Sequence, residues 1–173
     1  MSSAVSSSAG LVQARRGVLR RLADVYDRGS LANQMRRRRF LRFEELLGRL
    51  QKPVRIVDIG GTCNFWESMR YAGRGDVHIT LVNTTREQVA PRNVASLAGD
   101  ATDLKQFADG AFDVAFSNSA IEHLGTLANQ AAMAREVRRG ARAHWVQTPN
   151  YWFPIEPHFL VPEIEALATD ELV

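Results

Sequence analysis

Five places in this 173-residue chain put chemistry-bearing side chains directly behind a short apolar run. The first run, residues 54–59, carries Asp58 near its end and breaks into Gly60, Gly61 and Thr62. That order delivers a carboxylate to a tight turn whose glycines let the backbone close on a ligand, with a hydroxyl added by Thr62. Asn83, followed by Thr84 and Thr85, makes a polar tip suited to hydrogen-bonding a pair of hydroxyls. Gly99, Asp100 and Ala101 place a carboxylate beside a small residue. A fourth run leads into Asn118, Ser119, Glu122 and His123, and a fifth opens a Pro-rich aromatic loop holding Tyr151, Trp152, Phe153, Glu156 and His158. Simpler roles suit some of these equally: Asp58 can cap its turn, Asp100 can cap the backbone before Thr102, and Asn118 can be a turn residue. The Gly-x-Gly-x-x-Gly dinucleotide fingerprint is absent.

The elements that must position these groups follow from periodicity. Strands are expected at residues 54–59, 77–83, 94–98, 112–117 and 142–148, with helices near 64–72, 85–90, 102–107 and 124–138. Strand and helix alternate, which predicts an α/β fold with a mainly parallel sheet and helices on both faces. Ligands in such sheets sit at the carboxyl ends of the strands, where the strand order switches. The five groups above stand at those ends.

Before Pro53 the chain is organised differently. Residues 1–10 are Ser- and Ala-rich and read as a disordered tail, and residues 11–50 as two helices. Leu11, Val18, Leu22 and Val25 recur at helical spacing up to Gly29, and Ser30 can cap the second helix. That helix shows an apolar stripe of Phe40, Phe43, Leu47 and Leu50, with Arg38, Arg42, Glu45 and Arg49 opposite. Arg36 falls on the apolar side, where a guanidinium must snorkel or meet an anion, such as a ligand carboxylate, unless the helix start is frayed there, which is the simpler explanation. The remainder, residues 51–173, is expected to be the ligand-binding domain.

Composition narrows the class. The single cysteine, Cys63, excludes an internal disulfide framework and a cysteine-rich zinc site, and fits a reducing cytoplasm. It reads as a small buried residue rather than a nucleophile. No metal site is expected. No apolar run approaches the roughly 20 residues of a membrane span, and the start lacks the apolar core of a secretory signal, although its Ser and Arg content also fits an organelle transit segment. The net charge is +3, yet residues 1–50 hold eleven Arg against four acids. Such a split suits either solvated helix faces or an arm for an anionic partner.

Taken in order, Asp58-Ile59-Gly60-Gly61-Thr62, Val82-Asn83, Gly99-Asp100-Ala101, the run from Phe112 to His123, Gln147-Thr148-Pro149-Asn150 and the segment from Phe153 to Phe159 resemble the class I S-adenosylmethionine-dependent methyltransferases. The likeness is to a small-molecule methyltransferase-like group and covers residues 36–160. It implies a Rossmann-like sheet of order 3-2-1-4-5 and S-adenosylmethionine as cofactor. Asp58, Gly60, Gly61 and Thr62 would hold its methionine portion, and Asn83 its ribose hydroxyls, in place of the family's usual acid. Asp100 and Ala101 would take the adenine amino group, and Asn118 and Ser119 would flank the transferring methyl. Thr62 and Asn64 stand where relatives carry glycine, and their side chains narrow the turn.

Methyl transfer to oxygen or nitrogen requires the acceptor to lose a proton, which invites a general base. His123 is the first candidate, its unperturbed pKa lying near neutrality; Glu122 neighbours it, and His158 with Glu156 is the second choice. The acceptor is expected to be a small molecule, since the arginines lack interleaved aromatics and no target-base motif follows the fourth strand. The family's sixth and seventh strands have no room after Pro149, so the fifth strand is expected to be an edge that a homodimer or another element covers. A non-catalytic binding or assembly module of the same fold, and less readily a nucleic-acid methyltransferase, are the alternative readings.

Overall fold

The computed structural model describes residues 31–148, the side chains of 31–36 excepted. The expected tail, first helix and Ser30 cap lie outside these residues, as does Arg36's side chain, and so do the aromatic loop after Thr148 with Glu156 and His158 and any further strands. Arg42–Thr148 forms one compact unit. Of the second unit only residues 31–41 are described; they are helical, with Arg37, Arg38 and Arg39 exposed.

Helix α1 spans Leu31–Gly48 and leads into β1, Val54–Ile59. Then come α2, Cys63–Ser68; β2, Val77–Asn83; β3, Val94–Ala98; β4, Phe112–Asn118; a single 3-10 turn, Ile121–Leu124; α3, Leu127–Gly140; and β5, Ala141–Gln147. The five strands make one sheet of order β3-β2-β1-β4-β5. Every adjacent pair is parallel. All five carboxyl ends therefore share one edge of the sheet, and the order reverses between β1 and β4.

Both faces of β1 are covered, which is why five of its six residues are buried. One face meets aromatic rings: Phe43 of α1 and Trp66 of α2 pack on Phe116 of β4, with ring centroids 4.9 and 5.2 Å away. Trp145 of β5 closes on Phe43 at 5.8 Å. The other face gathers Val57, Ile59, Val82 and Ala115 under Met133 and Val137 of α3. Phe43 and Leu47 of the expected stripe are buried, and so is Phe40. At the amino end of the sheet Arg55 binds Asp113 through its main-chain N–H at 2.9 Å and its guanidinium at 3.1 Å, and the guanidinium holds the Asp113 carboxyl below its usual range.

Two expected helices are absent. Residues 85–90 are irregular: the Glu87 N–H donates to the Ser96 hydroxyl at 2.9 Å, its carboxylate is drawn away to Cys63, and Pro91 disfavours a helical Ala90. Residues 102–107 form two successive turns. Their polar backbone is satisfied from α3 instead. Leu104 N–H donates to Glu136 at 2.9 Å, while Arg139 donates to the carbonyls of Leu104 and Phe107 at 2.8 and 2.7 Å. The helices that do form also shift. Residues 124–138 were expected as one helix, but Gly125 at φ +73° breaks it, and α3 starts only after Thr126, whose hydroxyl caps Asn129 N–H. The α2 helix stops at Ser68, before a left-handed Arg70 at φ +63°. The strands run one residue longer at β4 and one residue earlier at β5 than expected.

Replacing Arg139 with Met removes the donors that satisfy Leu104 and Phe107. We expect a lower urea midpoint than for Arg138→Met, whose side chain is exposed; equal midpoints would contradict this role.

Candidate active site

The carboxyl edge of the sheet holds an open cleft of about 720 Å³. Ile59 and Gly60 at the end of β1, Asn83 and Thr84 at the end of β2, Gly99, Asp100 and Ala101 after β3, and Ser119, Ala120 and His123 after β4 all border it. Eight of the residues singled out in the sequence thus share one wall system: Gly60, Asn83, Thr84, Gly99, Asp100, Ala101, Ser119 and His123. The parallel sheet brings them together from 64 residues of sequence.

The Gly60-Gly61 turn is fitted to its surroundings at each atom. Gly60 has φ +80°, and a Cβ there would lie 2.5 Å from the Ala120 Cβ, so the turns after β1 and β4 touch at the switch point. Gly60 N–H donates to Val82 O at 2.9 Å, and the Ser117 hydroxyl donates to Ile59 O at 2.9 Å. Gly61 O accepts from Asn83 Nδ2 at 2.6 Å. Cys63 N–H, in the first turn of α2, donates to the Glu87 carboxylate at 3.1 Å. A Cβ on Gly61 would overlap the Asp58 carboxyl. Any side chain at position 61 must displace that acid.

Asp58 itself is fully buried. Its Oδ2 accepts from the Trp66 indole Nε1 at 2.7 Å, and Oδ1 has no partner among the described residues. Burial pushes its pKa up to about 7, against the lowering effect of the indole hydrogen bond. Asp58 therefore stands behind the turn rather than on the cleft wall. Gly61, Thr62, Asn118 and Glu122 likewise do not border the cleft. Thr62 and Asn64 are exposed, and Thr62 makes no side-chain cap to α2. Asn118 pairs with Gln147 in the ladder, which aims its backbone at β5. Glu122 turns toward Thr148, whose hydroxyl donates to its Oε2 at 3.2 Å.

Asp100 is exposed at the cleft, and its Oδ1 accepts from Thr102 N–H at 2.8 Å and the Thr102 hydroxyl at 2.7 Å. These donors hold its pKa below the usual value. The capping role and a place on the cleft wall coexist, since both of these contacts fall on Oδ1. Ser119 adopts φ +59°, with its N–H donating to Gln147 O at 2.9 Å. Cys63 is buried, and burial with nearby Glu67 and Glu87 raises its thiol pKa, the reverse of an activated nucleophile. Among the described residues no cluster of His, Cys, Asp and Glu could hold a metal ion, and no helix is long and apolar enough to cross a membrane.

Sequence reasoning missed Ala120 on the wall and Glu87 at α2. Glu87 left no signal, because its partner Cys63 lies 24 residues away.

A family model described as a methyltransferase domain matches residues 57–143, half of the chain. The chain belongs to this methyltransferase family. No curated protein matches it significantly. A SAM-dependent methyltransferase from Aquifex aeolicus shares the fold of this methyltransferase, with a TM-score of 0.50 at 16% identity over 71% of this chain and 73% of that one. A putative methyltransferase from an antibiotic biosynthesis pathway of Anabaena variabilis is 24% identical over 56% of this chain, with a TM-score of 0.45. The chain spans only 40% of that protein's length.

The raised pKa of Asp58 has a definite sign in stability. Between about pH 4 and pH 7 the folded chain keeps a proton on Asp58 that the unfolded chain has released, so this group's contribution falls as pH rises through that window. Measured by urea unfolding, the stability of wild type relative to Asp58→Asn should decline by up to ~1.4 kcal/mol per pH unit there and level off above. A difference that does not change with pH would contradict the buried, protonated acid.

Proposed function

We propose that this chain binds S-adenosylmethionine in the cleft and transfers its methyl group to an oxygen or nitrogen of a small-molecule acceptor. The observation that carries this reading is the convergence of Gly60, Asn83, Asp100, Ala101 and Ser119 on one cleft at the switch point of the sheet. The residues present suit the cofactor: a hydrogen-bonding amide at Asn83, an exposed carboxylate at Asp100 beside small Ala101, and a glycine where the backbone must close. The Aquifex relative, named as SAM-dependent, has the same fold, which supports the choice.

When bound, S-adenosylmethionine supplies an electrophilic methyl on a positively charged sulfonium. This chain's residues do the rest by placement. Asp100, ionised at neutral pH, would accept from the amino group at the adenine end, and the turns after β1 and β4 would hold the opposite end. Alignment of donor and acceptor supplies much of the rate in an in-line displacement. His123 borders the cleft on the 3-10 turn, where an imidazole can take the acceptor's proton. Asp58 lies behind the turn and acts through its shape. Gly61 and Thr62 continue the turn that would receive the methionine portion, with Asp58 packed beneath Gly61.

Calorimetric titration with S-adenosylhomocysteine tests the reading. We expect saturable one-to-one binding that Asp100→Ala weakens; no binding by folded wild type would overturn it. His123→Ala should retain that binding while turnover with an accepted substrate falls roughly 100-fold, the scale of general-base catalysis. Unchanged turnover would remove His123 from the mechanism.

A further inference from the structure

The end of the sheet opposite the cleft carries a second cavity, of about 410 Å³, that shares no residue with the first. Lys52, Arg55, Asp113 and Arg142 supply its charged groups. Because Ile56 pairs with Val114 and Val114 with Ala143, the residues one step earlier, Arg55, Asp113 and Arg142, stand side by side across β1, β4 and β5. Asp113 is committed to one of these neighbours. Its Oδ2 accepts from Arg55 N–H at 2.9 Å and Nε at 3.3 Å, and its Oδ1 from Nη2 at 3.1 Å. Arg142 is exposed, forms no ion pair among the described residues and acts on Asp113 only through its charge. Lys52 reaches Asp76 at 3.8 Å, and Arg74 already holds that acid at 2.8 and 2.6 Å. Three cations against one acid leave two positive charges bordering the cavity, with apolar Leu50 and Pro53 beside them.

We propose that this cavity is a second ligand site, which takes the phosphoryl group of a small organic phosphomonoester. It stands independently of S-adenosylmethionine binding, since the two cavities lie at opposite ends of the parallel strands. A phosphomonoester carries about two negative charges near neutral pH and three acceptor oxygens, which match the two surplus cations. A carboxylate carries one charge and leaves a cation unmatched. The planar fork of Arg142 can engage two phosphoryl oxygens while the Lys52 ammonium meets the third. A concave wall concentrates the field of like charges, so the two cations act together. The volume admits an organic group as well, and Leu50 and Pro53 give that group an apolar contact. A nucleic-acid backbone fits less well. Ionised Asp113 stands in the middle of the charged row, and no aromatic ring is among the described residues that line the cavity, so a base has nothing on which to stack.

Calorimetric titration of the full chain tests this, with phenyl phosphate, inorganic phosphate, benzoate and a short single-stranded oligoribonucleotide as probes. Wild type should bind phenyl phosphate one to one, and Arg142→Ala and Lys52→Ala should each weaken that binding about tenfold, the scale of one hydrogen bond between charged groups. Arg135→Ala, exposed on α3 and not part of the cavity wall, should bind as wild type does. Affinity should rise as pH passes about 6, where the second phosphate proton leaves. Inorganic phosphate and benzoate should both bind more weakly than phenyl phosphate. No binding of phenyl phosphate by folded wild type, or binding that neither variant weakens, would overturn the proposal. Inorganic phosphate bound as tightly as phenyl phosphate would overturn the organic part, and benzoate bound as tightly, or affinity independent of pH, would overturn the phosphoryl preference. Tighter binding of the oligoribonucleotide, lost in the same variants, would overturn the small-molecule assignment. Both substituted side chains are exposed, so each variant should melt with wild type; the pH profile of wild type decides the phosphoryl assignment without any substitution.

Discussion

The contact between the Asp58 carboxyl and the Gly61 backbone sets the geometry on which the cleft depends. A fully buried acid is costly in an apolar layer, and among the described residues one indole hydrogen bond from Trp66 is its only side-chain partner, with its pKa raised by the burial. What that cost secures is shape. The carboxyl occupies the volume a side chain at position 61 would need, so the turn lies flat over the end of β1 and its carbonyl reaches Asn83. Trp66, in turn, is held by Phe43, Phe65, Tyr71 and Phe116, with ring centroids between 5.2 and 6.3 Å. The aromatic face of the sheet thus fixes the acid, the acid fixes the turn, and the turn fixes one wall of the cleft.

From β4 the same point is reached independently. Gly60 abuts Ala120, Ser117 holds Ile59 O, and Ser119 leaves the strand in a left-handed conformation tied to β5. Parallel strands on either side of the switch point would diverge at their ends without such contacts. Function class and fold meet here, since a methyltransferase places its chemistry at the carboxyl ends of parallel strands.

Much of this was legible in the sequence because parallel, doubly covered strands leave strong marks. Val54 to Ile59 and Val77 to Val82 are mostly apolar, and β1 ends at the last apolar residue of its run while β2 ends one residue past it, at Asn83. The cleft residues were legible for a related reason: polar and small residues directly after a buried run have few structural uses. What was hidden depends on partners distant in sequence. Residues 102–107 carry helical composition, yet Arg139 and Glu136 of α3 satisfy their backbone and hold them as turns. Glu87 looked like a helix acid and instead binds α2. The bond from the Trp66 indole to Asp58 was also hidden, because nothing in the run from Val54 to Trp66 says that the ring eight residues on turns back to the acid.

The central claim is that the cleft bounded by Gly60, Asn83, Asp100 and Ser119 is where the cofactor binds. A crystal structure with S-adenosylhomocysteine tests it most directly. The account predicts ligand density in that cleft, with the ribose at Asn83, the adenine beside Asp100 and Ala101, and Asp58 still sealed beneath Gly61. Density at any other edge of the sheet, or a ligand in direct contact with Asp58 through a displaced turn, would contradict it.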